Sequence, residues 1–316
     1  MLPEHLQQHL AAGARWRLQG CRGRYAPSPT GRLHLGNLRT ALLSWLITRL
    51  QGGEWLLRID DLDTPRNRAG AEASILADLA WLGLDWDGPV LRQSERRGLY
   101  ASVLSWLRRQ GRLYPCRCSR RLLADISAPH GASAVYPGFC RDRHWGWGEE
   151  EGRLPSWRLR LPAGRFNWFE RVADPHGLDA AAEVGDVVLR RADGFLAYHL
   201  ATAVDELCLG MADVVRGEDL WAATAPQVAV MRELGGEPPR YWHLPLWFDA
   251  EGRRLSKREG GLGLETLQQQ GMDGAAAVGW MAAQLGLVAP GTRLSSRELL
   301  EELDLAALQQ RLALRT

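Results

Sequence analysis

The chain has 316 residues, of which 46% are hydrophobic and 24% charged, a composition typical of globular proteins that excludes disorder over most of its length. This length exceeds a single typical core and predicts about two domains. The 39 basic and 37 acidic residues leave a net charge of +2, which excludes nucleic-acid binding by overall charge and leaves a local basic face as the remaining route.

Several features of the sequence predict a cytoplasmic location. No run approaches the roughly 18 apolar residues that a membrane span requires, so we expect no membrane association. Residues 1–20 lack the basic start and the continuous apolar segment of a signal peptide. The five cysteines, an odd number, fit metal binding in a reducing compartment better than a disulfide framework.

The first part of the chain reads as a strand, a helix and a second strand. We expect residues 1–22 to be a flexible extension. Residues 23–27 (GRYAP) predict a short strand, and apolar residues at three- and four-residue spacing predict a helix over 38–50. Residues 54–59 (EWLLRI) predict a second buried strand. A βαβ unit of this kind implies an α/β fold with an open, doubly wound parallel sheet of the Rossmann type.

The rest of the chain divides into further segments. Helices are predicted over 68–82 and 95–109, the second with Ser94 as its N-cap. A stretch rich in Cys, Trp, Gly and Pro predicts a small inserted fold, after which strand and helix patterns resume over 186–208. The predicted division is a core in two halves, 23–115 and 186–262, an insertion over 116–185, and a short α-helical C-terminal region over 263–316.

The turn after the first predicted strand carries the first candidate site. It reads PSPTGRLHLGN over residues 27–37 and places His34 where the helix begins. A helix N-terminus offers unpaired backbone N–H groups and a positive potential, which suit phosphates, and a histidine there can donate to them. Gly36 lets a flat base approach the backbone where a Cβ would block it. The alternative is a turn with a capping histidine and no ligand.

A basic loop over residues 253–261 (RRLSKREGG) carries the second candidate site. It contains Lys257, the only lysine among the 39 basic residues. Because a compact ammonium differs from a planar guanidinium, a lysine retained in this background indicates a position that arginine cannot fill. A mobile loop can bring such a charge to a reacting phosphate. The alternative is a solvated basic loop.

Together these segments resemble the HIGH and KMSKS motifs of class I aminoacyl-tRNA synthetases, here HLGN (residues 34–37) and RLSKR (residues 254–258). The stretches RYAPSPTGRLHLGNLRTAL, LLRIDDLDTPR and VRGEDL, in this order, resemble the glutamyl branch of the class. The resemblance extends from residue 23 to the early 260s. Four ordered motifs make a coincidence improbable.

The resemblance implies a role for each matching residue. His34 and Lys257 would stabilise charge on the phosphates of ATP. Arg24 and Arg216 would bind substrate carboxylates, a task that suits the bidentate guanidinium, and Asp60 stands where the family has a glutamate that holds the substrate amino group. The implied ATP-binding residues are His34, Gly36, Asn37, Ser256 and Lys257, and the implied glutamate-binding residues are Arg24, Tyr25, Ala26, Pro27, Ser28, Asp60, Tyr198 and Arg216.

Three cysteines predict a structural zinc site. Cys116, Cys118 and Cys140 lie within 25 residues, and a tetrahedral site needs a fourth ligand. The candidates are Tyr136, His130 and His144; chemistry alone favours a histidine, because a phenol must lose a proton of pKa about 10. The CxC…YxxxC pattern resembles a short paralogue of the glutamyl branch in which tyrosine is the fourth ligand, and we follow it. The alternative is that these cysteines are buried small apolar residues.

Only 316 − 257 = 59 residues follow Lys257, fewer than a full glutamyl-tRNA synthetase uses to grip the anticodon. The chain therefore resembles the short paralogue, which attaches glutamate to the queuosine base of tRNA(Asp). The resemblance implies activation of L-glutamate with ATP and Mg²⁺ without tRNA, then transfer to queuosine-containing tRNA(Asp), by a monomer. The alternatives are a truncated synthetase charging the 3′ end of tRNA(Glu) and a catalytically idle RNA-binding paralogue.

Overall fold

The computed structural model describes residues 1–119, 122, 135–172, 177–247 and 263–313. Three predicted site residues, Ser256, Lys257 and the candidate ligand His130, lie outside the described residues. Within the described part, no helix is long and apolar enough to cross a membrane.

Parallel strands form the centre of the fold. Strand β1 (Arg22–Tyr25) pairs with β2 (Glu54–Ile59), and β2 pairs with β3 (Leu91–Arg92). A second parallel pair is formed by β9 (Asp213–Gly217) and β10 (Arg240–Leu244). The Ala212 N–H donates to the Arg22 carbonyl at 2.8 Å, which joins the two groups in the order β3–β2–β1–β9–β10. This order confirms the predicted doubly wound parallel sheet, with its switch point between β1 and β9.

Helices cover this sheet and connect its strands. Helix α2 begins where the sequence places His34: the His34 ring accepts the Asn37 N–H at 3.3 Å and caps the helix, three residues before the first residue of the apolar spacing. The prediction that Ser94 is the N-cap of this helix is wrong. The Ser94 N–H and hydroxyl donate to the Asp61 carboxylate, and α4 begins at residue 97. The helices of the core are α2 (Leu35–Arg49), α3 (Ala71–Trp81) and α4 (Arg97–Arg109), then α6 (Tyr198–Cys208) and α7 (Trp221–Glu233) after the insertion.

The N-terminal segment is ordered, so the prediction of a flexible extension is wrong. Residues Glu4–Gln19 form helix α1, which packs on α6 and buries Leu6 completely. Gly13 permits this contact, since a Cβ there would lie 1.9 Å from the Leu207 carbonyl oxygen. Arg17 anchors the end of the helix by donating to the carbonyls of Met211 and Glu237.

Antiparallel strands build the inserted region. Strands β4 (Leu113–Cys116), β5 (Ser156–Leu159) and β8 (Val188–Arg190) form one sheet, which also uses residues on both sides of the predicted insertion. A hairpin of β6 (Arg165–Asn167) and β7 (Gly177–Asp179) follows, and the short helix α5 (Ala180–Glu183) comes directly after it.

The C-terminal region is helical as predicted. Its helices are α8 (Leu264–Gln269), α9 (Gly274–Gln284), α10 (Ser296–Glu302) and α11 (Leu305–Ala313). A capping box at Ser295 and Glu298 starts α10. Buried residues such as Leu299 and Leu308 join the hydrophobic cluster that contains α2 and β2, so this region is part of the same core.

Candidate active site

A cleft of about 620 Å³ opens where β1 and β9 end, at the switch point of the sheet. Eleven of the predicted ATP- and glutamate-binding residues lie within the described part of the chain, and every one of them lines this cleft. They are Arg24, Tyr25, Ala26, Pro27, Ser28, His34, Gly36, Asn37, Asp60, Tyr198 and Arg216. The two halves of the predicted core therefore meet in one cavity.

One end of the cleft is formed by the start of α2. The His34 ring accepts the Asn37 N–H through Nδ1, so the neutral imidazole carries its proton on Nε2 and can donate from there. A Cβ on Gly36 would lie 3.1 Å from the His34 ring, which explains why glycine suits this position. Gly263 forms a β-bridge with His34, and Trp247 lines the cleft. The two residues that flank segment 248–262 therefore both lie at this end.

The other end carries buried arginines with paired charges. Arg24 donates to Glu206 at 2.9 Å and to the Val215 carbonyl at 3.1 Å, and the Arg24 and Glu206 side chains are both almost fully buried. Arg58 donates to both oxygens of Asp60, at 2.6 and 3.0 Å. Burial raises the pKa of Asp60, and the Arg58 charge offsets this only in part. The Asp60 carboxylate is thus engaged from within the protein while it lines the cleft.

Arg216 differs from these arginines because its partners are neutral. Its Nε–H donates to His243 Nε2 at 3.1 Å, one Nη to Gln227 at 2.8 Å and the other to Thr224 at 2.5 Å. Tyr198, at the start of α6 and 37% exposed, lies within hydrogen-bonding reach of Arg216. A fixed guanidinium with no acidic partner in these contacts is suited to bind a substrate carboxylate.

Behind Arg216 lies a pair of residues that no sequence motif indicated. His243 Nδ1 lies 2.6 Å from a Glu170 carboxylate oxygen, and both side chains are fully buried. The only signal in the sequence was a histidine inside the apolar strand RYWHL. The cleft also contains residues that were not predicted, namely Thr30, Gly31, Arg32, Leu33, Arg39, Thr40, Val215, Gly217, Asp219, Leu220, Leu246 and Trp247.

The predicted metal ligands come together in the inserted region. The sulfurs of Cys116, Cys118 and Cys140 all lie within 4.8 Å of one another. The Tyr136 hydroxyl lies 3.5 Å from the sulfurs of Cys116 and Cys118 and accepts the Cys140 N–H at 3.0 Å. His144, exposed at the surface, is not in this cluster, so the structure brings Tyr136 rather than His144 to the sulfurs. Three thiols and a phenol in this arrangement could hold a metal ion.

Comparison with known proteins agrees with this geometry. The catalytic domain of class I tRNA synthetases (E and Q) matches residues 21–281. Glutamyl-Q tRNA(Asp) synthetase of Prochlorococcus marinus (strain MIT 9303) is 58% identical over 96% of this chain and 94% of the relative. The protein of that name from Parasynechococcus marenigrum (strain WH8102) is 59% identical over 96% of both chains.

Solved structures of glutamate tRNA ligases share this fold at lower sequence identity. A glutamate tRNA ligase from Elizabethkingia meningosepticum, in complex with its amino acid, superposes with a TM-score of 0.75 and 28% identity. The match covers 90% of this chain and 65% of the ligase, so the chain spans about two thirds of that protein. The chain belongs to the class I synthetase family of the glutamyl and glutaminyl type, and within it to the glutamyl-Q tRNA(Asp) synthetases.

Proposed function

We propose that this chain is a ligase that activates L-glutamate with ATP and transfers it to the queuosine base of tRNA(Asp). The glutamate α-carboxylate attacks the α-phosphate of ATP, giving glutamyl-adenylate and pyrophosphate. A hydroxyl of the queuosine cyclopentenediol then attacks the activated carbonyl, forming an ester and releasing AMP. The first step needs no tRNA, and both take place in the cytoplasm, where the tRNA is found.

The observation that carries this proposal is that one cleft joins two kinds of site. Arg24 and Arg216 at one end provide buried guanidinium groups for substrate carboxylates, and the start of α2 at the other provides a phosphate site. The relatives with 57–59% identity carry the name of this activity.

We assign the chemistry to positioning and electrostatics, with no side-chain nucleophile. His34 donates to the phosphates of ATP, Lys257 supplies a second positive charge from the segment that begins after Trp247, and Mg²⁺ accompanies the nucleotide. Arg24 and Arg216 hold the substrate carboxylates, while Asp60 and Tyr198 line the amino-acid end. Fixed donors of this kind act where negative charge develops.

The cysteine cluster is proposed to hold one structural zinc ion with Tyr136 as the fourth ligand. With Zn–S near 2.3 Å and Zn–O near 2.1 Å, a tetrahedral site separates two sulfurs by about 3.8 Å and a sulfur from an oxygen by about 3.6 Å. The distance between the Cys118 and Cys140 sulfurs is 3.6 Å, and each of two sulfurs lies 3.5 Å from the Tyr136 hydroxyl. These three separations support the assignment of zinc.

Exchange of labelled pyrophosphate into ATP tests the activation step. The purified chain is assayed without tRNA in the presence of glutamate, glutamine or aspartate. We expect exchange with glutamate and background exchange with the other two. Absence of glutamate-dependent exchange would support the catalytically idle paralogue and would contradict the proposal.

Transfer of labelled glutamate tests the acceptor. The acceptors compared are tRNA(Asp) with queuosine, the same tRNA without it, and tRNA(Glu). We expect label only in the first. Label in tRNA(Glu) would instead indicate a charging enzyme like the glutamate tRNA ligases of similar structure.

A further inference from the structure

Arg24 and Arg216 line the amino-acid end of the cleft, and the buried Arg58 lies behind Asp60, which also lines it. These arginines differ in how their charges are compensated: Arg24 is paired with Glu206, and Arg58 with Asp60 and Asp205. Arg216 is held by an imidazole, an amide oxygen and a hydroxyl, and among the residues that the structure describes no carboxylate lies within ion-pair distance of it. Glutamate carries two carboxylates and one ammonium, so its net charge of −1 matches one such cation.

The contact between Arg216 and His243 fixes the tautomer of the imidazole. The Arg216 Nε–H has no lone pair and can only donate, so His243 Nε2 must be an acceptor. The ring proton therefore lies on Nδ1 and is donated to Glu170 Oε2 over 2.6 Å. Burial is the main cause that lowers the pKa of His243, which keeps the ring neutral.

The Glu170 carboxylate is placed to impose that tautomer. Its Oε1 accepts the backbone N–H groups of His243 at 3.1 Å and of Val172 at 3.3 Å, and its Oε2 accepts from the imidazole and, at 3.4 Å, from the Trp168 Nε1–H. Burial by itself would raise the pKa of Glu170, but these hydrogen bonds outweigh it and lower the pKa. An ionised carboxylate accepts on both sides, so it presents an acceptor to His243 Nδ1 at all times.

We propose that Glu170 and His243 are positioning residues that hold the Arg216 guanidinium, through a neutral acceptor, with its charge directed to a substrate carboxylate. Glu170 anchors the imidazole without touching the guanidinium, so the ring separates the two charges. Tyr241 supports the same geometry, because its ring stacks on His243 at 5.7 Å and lies 4.7 Å below the Arg216 guanidinium. The inference deepens the proposed function and rests on it, since it requires a substrate carboxylate at Arg216.

The variant Glu170→Gln tests the tautomer with almost no change in shape. The backbone N–H groups of His243 and Val172 are fixed donors, whereas the imidazole on the other side can move its proton from Nδ1 to Nε2. The glutamine oxygen is therefore expected to face the backbone, which places its NH₂ against His243 Nδ1 and the Trp168 Nε1–H. That donor selects the tautomer with a proton on Nε2, which then opposes the Arg216 Nε–H. Because this removes a hydrogen bond to a charged group, we expect the KM for glutamate to rise about tenfold or more while the KM for ATP changes less than twofold.

Two substitutions of His243 separate positioning from packing. The amide of His243→Gln reaches the place of Nε2 and can still accept from Arg216, whereas the shorter amide of His243→Asn reaches only the place of Nδ1. We expect His243→Asn to raise the KM for glutamate several-fold more than His243→Gln does. Both variants remove the ring and they differ by one buried methylene, so the unfolding midpoint of each is measured beside its KM to separate the effect of the larger cavity in His243→Asn.

The control is Asp213→Asn, at the far end of the same strand pair. Asp213 is buried and pairs with Arg240, and it lies outside the cleft. We expect Asp213→Asn to lower the unfolding midpoint while the KM for glutamate stays within twofold of the unmodified chain.

The outcomes distinguish the inference from the proposed function. If the unmodified chain shows no glutamate-dependent pyrophosphate exchange, the proposed function fails. If it shows exchange and the folded Glu170→Gln protein retains its KM for glutamate, the positioning role is overturned. Equal KM values for His243→Gln and His243→Asn would likewise overturn it.

Discussion

Removing the Tyr136 hydroxyl tests the zinc site with a minimal perturbation. In Tyr136→Phe the ring remains in place under the Arg158 guanidinium, which lies 3.6 Å from the ring centroid, so packing is preserved. The oxygen that lies 3.5 Å from the sulfurs of Cys116 and Cys118 is lost. The three thiols remain, and one corner of the donor tetrahedron is removed.

The expected loss of affinity follows from the number of ligands. Structural zinc in small domains binds with about 10–16 kcal/mol at neutral pH, so one ligand of four contributes about 2.5–4 kcal/mol. This corresponds to roughly a hundredfold to a thousandfold weaker zinc binding, and to less where a water molecule takes the fourth position. The protein should still bind zinc through its cysteines, but should release it to a weaker chelator.

Competition with a chromophoric chelator measures this difference. Tyr114→Phe is a matched control, because Tyr114 packs in the same cluster while its hydroxyl donates to Asp186 and contacts none of the sulfurs. We expect the control to bind zinc as the unmodified chain does and Tyr136→Phe to lose zinc at lower chelator concentration. Equal zinc affinity in the two variants would refute the assignment of Tyr136.

Three further predictions concern other parts of the molecule. Gly13→Ala places a Cβ 1.9 Å from the Leu207 carbonyl oxygen, so urea titration should show a free energy of unfolding lowered by about 1–3 kcal/mol; an unchanged value would contradict the packing of α1. Burial, with the Arg216 charge, lowers the pKa of His199 to about 4 in the fold, below its usual 6.5. The unfolded chain therefore binds more protons, and the free energy of unfolding should fall as pH drops from about 6.5 to 4, by at most about 1.4 kcal/mol per pH unit. His199→Gln should abolish this part of the pH dependence. An unchanged dependence of the unfolding free energy on pH in that variant would contradict the prediction. Lys257→Ala should abolish most glutamate-dependent pyrophosphate exchange, and near-normal exchange would remove Lys257 from the mechanism.

The sequence predicts the first two strands of the core sheet and gives no prediction for the other three, β3, β9 and β10. The second strand has the bounds that its apolar run predicts, Glu54–Ile59. The start of helix α2 is set by the cap at His34, which the turn sequence indicates and the apolar spacing alone does not. The helix over Glu4–Gln19 was missed because a chain end was expected to be flexible, whereas in the fold Gly13 allows close contact with α6.

The candidate site could be predicted only where it lies in motifs. Arg24 and Arg216 are far apart in sequence, and the adjacency of β1 and β9 brings both to one cleft. The supporting residues Glu170 and His243 lie 73 positions apart, and their contact depends on tertiary packing that no local spacing encodes. Glu206 was missed for the same reason, since on its helix it reads as one more solvent-facing acid.

Mass spectrometry of the modified nucleoside shows which hydroxyl of the tRNA receives glutamate. Queuosine-containing tRNA(Asp) is incubated with the chain, ATP and glutamate, digested to nucleosides under mildly acidic conditions that preserve esters, and examined by mass spectrometry. We expect glutamate on the queuosine nucleoside, with the 3′-terminal adenosine unmodified. Glutamate on the terminal adenosine, with queuosine unchanged, would contradict the proposed function.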